Sequence, residues 1–127
     1  MVKKIKLIEV KSEIGAGTRG ASLGPDAIKI AALDYGSNLF NKLHSIEVPV
    51  ENNLLFETHG STYAKRIRGI VGIYDRLSKT VADVLKAKEF PIILAGDHST
   101  AGGTIAGIKM ANPKARLGVI WIDAHAD

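Results

Sequence analysis

The stretch LGVIWIDAHAD, residues 117–127, carries the strongest fold signal in the chain. Its apolar run over residues 117–122 predicts a strand buried on both faces, as in a parallel sheet covered by helices. In an extended chain, Asp123, His125 and Asp127 of the following DAHAD segment project to one side. Two carboxylates this close repel unless a cation offsets them, so the stretch predicts a metal site at the end of a buried strand.

Predicted strands and helices alternate along the rest of the chain. The periodicity predicts strands over residues 4–10, 45–50, 91–95 and 117–122, and helices over residues 25–33, 62–88 and 100–111. Pro49 places the second strand at a sheet edge, because proline cannot donate to a ladder. The longest helix predicts Tyr63 and Tyr74 in the core. This order indicates one α/β domain over residues 1–127 with a parallel sheet, which binds ligands beyond the carboxyl ends of its strands.

The composition excludes several classes of protein. Of the 127 residues, 46% are hydrophobic and none is cysteine, so this is a globular chain whose metal ligands must be oxygen or imidazole nitrogen. The net charge of +4 is scattered rather than clustered with aromatics, which argues against a nucleic-acid partner. No apolar window has the length of a membrane span or of a signal peptide, so we expect no membrane partner and a cytoplasmic protein.

A second polar segment, AGDHS, follows the predicted strand over residues 91–95. We expect His98 to meet Asp123, His125 and Asp127 at the carboxyl edge of the sheet. If Asp123 bridged two ions, with His98 on one and His125 on the other, a shared water would become hydroxide near neutral pH, as in a hydrolase. Alone, Gly-Asp-His is weaker: Asp97 could be a helix cap and His98 an ordinary residue at a helix start.

Three segments resemble the ureohydrolase family of arginases, agmatinases and formiminoglutamases, most closely the arginases. These segments are GTRGASLGPDAIK, LAGDHSTAGGTIAG and LGVIWIDAHAD. The resemblance implies a three-layer, arginase-like α/β fold with a parallel sheet. It also implies a pair of Mn²⁺ ions, a small guanidino substrate and assembly into homo-oligomers.

The resemblance also implies roles for individual residues. His98 would bind one manganese, His125 the other, and Asp123 both. Asp127 would bind the first ion, contact the hydroxide and pass a proton to the departing amine, so it is the candidate catalytic residue. L-Arginine would yield L-ornithine and urea. Asp97 and Ser99 would support the ligands.

The chain departs from the family in length. Family members are much longer, and a later strand supplies two further metal-binding aspartates, so the chain resembles a truncated N-terminal portion. We therefore expect weak or absent metal binding and little or no activity from the 127 residues alone. Alternatives are another ureohydrolase such as an agmatinase, a non-catalytic assembly module, or a metallophosphoesterase, in which Asp-x-His normally precedes Gly-Asp.

Overall fold

A computed structural model describes residues 4–58 and 60–124 of the chain. Within these residues, strands β1 (Ile5–Val10), β2 (Ser45–Glu47) and β3 (Phe90–Ala95) form one sheet in the order β2-β1-β3. The α-helices are α1 (Gly24–Asp34), α2 (Ile67–Lys86) and α3 (Ala101–Ala111). None of the helices described combines the length and apolar character that crossing a membrane requires.

The sheet is parallel, as predicted. β1 pairs with β3 from Ile5 opposite Phe90 to Val10 opposite Ala95, and with β2 on its other side. β2 ends at Glu47, before Pro49, and lies at an edge of this sheet, which confirms that prediction. The segments that follow β1 and β3 therefore emerge side by side at the carboxyl edge.

The core lies between the sheet and α2. Buried side chains from β1, α2 and the loops form one cluster, made of Ile8, Val10, Ile14, Val48, Ile73, Leu77, Val81 and Val84. Leu77 and Val81 have no exposed surface. α3 packs along α2, so α2 is covered by the sheet on one side and by a helix on another. This arrangement holds β3 and α3, and the turn between them, in place.

The prediction of a buried strand over residues 117–122 is wrong for the structure described. These residues form no strand, and Ile120 and Ile122 are 91% and 94% exposed. β3 is only partly buried, and Phe90 at its start is 52% exposed. An apolar strand becomes buried only where neighbouring strands and covering helices enclose it. In the described sheet, β3 pairs with one neighbouring strand, and residues 117–122 pair with no strand.

The predicted helix over residues 62–88 is confirmed in its centre but begins later. Arg66 adopts a left-handed conformation with φ of 56°, and α2 starts after it at Ile67. Tyr63 is consequently outside the helix and fully exposed, so its placement in the core was wrong, whereas Tyr74 is partly buried on α2. His44 is exposed, as expected of a loop residue, and His59 lies outside the described residues.

Candidate functional site

The site begins where β3 ends. Asp97 follows the strand, and a 3₁₀ turn over His98–Thr100 leads directly into α3. The Asp97 carboxylate accepts hydrogen bonds from the backbone N–H of Ser99, at 3.0 Å, and from its hydroxyl. The Thr100 hydroxyl donates to the backbone carbonyl of Asp97 at 3.1 Å. The predicted capping role of Asp97 is confirmed, and the cap fixes the turn that carries His98.

His98 lies against two residues from the end of the described chain. Its Nδ1 is 3.0 Å from Oδ2 of Asp123, whose side chain is 12% exposed while that of His98 is 51% exposed. The Trp121 ring stacks on the imidazole, with centroids 4.3 Å apart and planes inclined by 27°. The imidazole of His98 and the carboxylate of Asp123 are therefore in contact, although residues 117–122 form no strand.

The other two candidate ligands, His125 and Asp127, lie outside the described residues. Within residues 4–58 and 60–124, no group of three or more histidine, aspartate or glutamate side chains is placed to hold a metal ion. The donors that do meet are an imidazole nitrogen and a carboxylate oxygen. Such donors suit Mn²⁺ and exclude a thiolate site, so these two residues fit part of a manganese site.

An open cleft of about 370 Å³ adjoins this pair of residues. Asp97, His98 and Trp121 line it together with aliphatic side chains from β3, α3 and residues 119–122. Pockets for small ligands begin at roughly this size and combine apolar walls with a few polar groups. Two other cavities, of about 530 and 560 Å³, border Arg66 and include none of the candidate ligands.

The glycine-rich segment after β1 contains a buried acid that sequence reasoning missed. Glu13 is 0% exposed. Its Oε1 accepts hydrogen bonds from the backbone N–H groups of Gly20 and Ser22, at 2.9 and 3.1 Å, and from the Ser22 hydroxyl. Arg19 Nε lies 3.2 Å from Oε2. The bond from the Ser22 hydroxyl, helped by the Gly20 N–H, lowers the pKa of Glu13 although burial opposes the shift.

The same segment is bound to the turn that carries His98. Asp97 is 8% exposed, and its Oδ2 accepts hydrogen bonds from Ser12 Oγ at 3.2 Å and from Gly15 N at 2.9 Å. The Ala16 N–H also points to this oxygen, at 3.4 Å. No local pattern predicts these bonds, because they join residues more than 80 positions apart.

The fold is that of an α/β protein with a parallel sheet, and an imidazole and a carboxylate lie together beyond the carboxyl ends of its strands. Proteins of this class bind ligands at this edge. A model of the Arginase family matches residues 3–127. The chain belongs to the arginase family. This confirms the resemblance to the ureohydrolases and disfavours the metallophosphoesterase alternative.

Similar proteins cover the whole of this chain but extend well beyond it. The chain is 31% identical to an arginase from Bacillus caldovelox over 99% of its length, and 35% identical to one from Brevibacillus brevis over 100%. It spans 42% of the length of each. The crystal structure of the native B. caldovelox arginase superimposes with a TM-score of 0.76 at 30% identity, covering 98% of this chain. An arginase structure from Bacillus subtilis gives 0.74 at 30% identity over 98%. These structures confirm the arginase-like α/β fold, and the match covers 40% of the B. subtilis chain and 42% of the B. caldovelox chain.

Proposed function

We propose that this chain supplies the first part of a manganese-dependent site that hydrolyses a guanidino compound, with L-arginine giving L-ornithine and urea. The observation that carries the proposal is the meeting of His98 and Asp123, 3.0 Å apart, at the carboxyl edge of a parallel sheet. Family membership supports the same chemistry. A homo-oligomeric, cytoplasmic protein is part of the proposal, as the family resemblance and the sequence suggest.

The residues take distinct roles. His98, Asp123, His125 and Asp127 would hold the metal. Bound Mn²⁺ would lower the pKa of water so that hydroxide is present near neutral pH. The Asp127 carboxylate carries a proton to the amine as the bond between that amine and the guanidinium carbon breaks. The cleft beside Trp121 receives the substrate.

Support for His98 as a ligand comes from what holds it. Asp97 caps its turn, β3 fixes the start of that turn, and α3 fixes its end. A half-exposed imidazole on a rigid turn, beside a largely buried carboxylate, loses little entropy when it binds a cation. His44 offers the contrast, because it precedes β2 and so lies at the amino edge of the parallel sheet.

The test is a titration of the purified chain with Mn²⁺, followed by the electron paramagnetic resonance signal of the free ion. We expect weak binding that His98→Ala and Asp123→Asn each remove. The matched controls are His44→Ala and Asp83→Asn, which change an exposed histidine and a 76% exposed aspartate and should leave binding unchanged. Binding that survives His98→Ala and Asp123→Asn would contradict the proposed site.

A further inference from the structure

The glycine-rich segment over residues 12–22 has no part in the proposed chemistry, yet it is built against the turn that carries His98. Its backbone N–H groups at Gly15 and Ala16, and the Ser12 hydroxyl, all point to one oxygen of Asp97. The other oxygen of Asp97 caps the turn through Ser99. One buried carboxylate therefore joins the two segments.

The two segments also fit together through a glycine on each side. A Cβ added at Gly15 would lie 2.4 Å from the Ser99 Cβ. A Cβ added at Gly96 would lie 2.3 Å from the backbone oxygen of Ser12. Real side-chain atoms do not approach this closely, so each segment occupies the space that a side chain on the other would need.

Hydrogen bonds within the segment, and to Asn52, also hold its conformation. Glu13 is fully buried and accepts hydrogen bonds from Gly20 and Ser22, which closes the segment into a loop around its carboxylate. Asn52 accepts a hydrogen bond from the Glu13 backbone N–H at 2.9 Å and donates to the Lys11 carbonyl at 2.8 Å. The loop is therefore held independently of the turn that it contacts.

We propose that residues 12–22 are a positioning element that sets the orientation of His98 through Asp97. The loop presents fixed donors to one Asp97 oxygen, and the other oxygen then fixes the turn from His98 to Thr100. A displacement of the loop moves Asp97, and through the cap it moves the imidazole away from Trp121 and Asp123. The position of the His98 imidazole is a property of the folded chain without metal. Its importance for metal binding rests on the proposed function.

Trp121 provides the readout, because it is the only tryptophan in the sequence and stacks on His98. An imidazole in contact with indole quenches its fluorescence, so His98→Ala calibrates the signal of an unstacked Trp121. We expect Gly15→Ala and Asp97→Asn to shift the Trp121 emission toward that of His98→Ala. Gly24→Ala is the matched control, because a Cβ there meets nothing within 4 Å and its backbone is already helical. It should keep the wild-type emission.

Ser12→Ala is the milder variant should Gly15→Ala fail to fold, because it removes a single hydrogen bond to Asp97. A merely structural loop would lower the melting temperature of these variants and leave the emission of the folded protein at the wild-type value. That result with Asp97→Asn and Ser12→Ala would overturn the proposal. The fluorescence is measured without metal, so its outcome is separate from that of the Mn²⁺ titration. In that titration, we expect the dissociation constant to rise about 10- to 100-fold for Asp97→Asn, as for other residues that orient metal ligands.

Discussion

At the scale of single residues, buried carboxylates organise the carboxyl edge of the sheet. Glu13 and Asp97 are both buried, and both accept hydrogen bonds from backbone N–H groups and from hydroxyls, while the second oxygen of Glu13 faces Arg19. A buried carboxylate is tolerated when such donors replace water. Asp123, which is also little exposed, faces an imidazole instead. The acids that accept backbone donors shape the loops, whereas Asp123 contacts His98.

Glu13 predicts a specific dependence of stability on pH. Its pKa in the folded chain lies below the usual value of 4.5, chiefly because of the Ser22 hydroxyl. The stabilisation is therefore complete above 4.5 and is lost as the pH falls through the lowered pKa. We expect the melting temperature of Glu13→Gln to be lower than wild type at pH 7, and the difference to shrink as the pH approaches 3.

The measurement is thermal unfolding followed by circular dichroism across this pH range. Glu47→Gln, which changes an exposed glutamate on β2, should parallel the wild type throughout. Other carboxylates titrate in all three proteins, so the difference between curves isolates Glu13. A constant gap between wild type and Glu13→Gln from pH 7 to pH 3 would show that the carboxylate charge does not matter.

At the scale of elements, the contact between α2 and α3 depends on small residues. A Cβ added at Gly107 of α3 would lie 2.6 Å from the Ser78 carbonyl oxygen and 2.7 Å from the Val81 Cβ. Both neighbours belong to α2, so a methyl group would force the helices apart. Gly72 is also inside α2, but a Cβ there would meet only the ends of two side chains at ordinary contact distance, Arg76 at 3.5 Å and Glu51 at 3.8 Å.

These glycines predict opposite effects of the same substitution. We expect Gly107→Ala to destabilise the chain by about 1–3 kcal/mol through overpacking. Gly72→Ala should stabilise it by about 0.5–1 kcal/mol, because alanine favours the helix. Urea denaturation of the two variants measures both. Equal effects of the two substitutions would mean that helix propensity, and not the approach of α3 to α2, decides the outcome.

At the scale of the whole molecule, the described structure leaves apolar surface in the open. Ile120 and Ile122 are more than 90% exposed, and the Ile30 side chain on α1 is 61% exposed. The outer edge of β3 is unpaired among the strands described. Apolar patches and open strand edges recruit partners. The arginases that the chain matches are more than twice as long, so they contain further protein that could cover such surface.

We expect the 127-residue chain to associate with itself and to release little or no urea from arginine or agmatine. A two-metal site needs more ligands than the four proposed here, and a displacement of only about 1 Å can cost roughly a hundredfold in rate. Light scattering and a urea assay with added Mn²⁺ measure the two properties. The double variant Ile120→Lys with Ile122→Lys should reduce the association. The control is Tyr63→Lys, at a fully exposed position elsewhere, which should not reduce it. A monodisperse monomer that hydrolyses arginine at enzymatic rates would contradict both expectations.

The α/β class, the parallel sheet, the edge position of β2 and the family could all be predicted from the sequence. Periodicity, proline and short motifs are local signals, and they act before any long-range contact forms. The sequence also indicated that His98 follows a strand, and it left open whether Asp97 is a cap. The first residue of α2 was not predicted, because helical periodicity does not show that Arg66 adopts a left-handed conformation.

Which apolar runs are buried and which acids are structural depends on long-range packing, so neither could be predicted from the sequence. The run over residues 117–122 reads as a core strand, yet burial depends on neighbours that no window of sequence contains. The sequence around Glu13 is typical of a loop, where an acidic side chain is usually exposed. In the folded chain, the loop closes around Glu13 and removes it from water. The bond from Gly15 to Asp97 spans 82 positions. Contacts at such separation form only when the chain folds, because their free energy depends on where the whole fold brings the two groups.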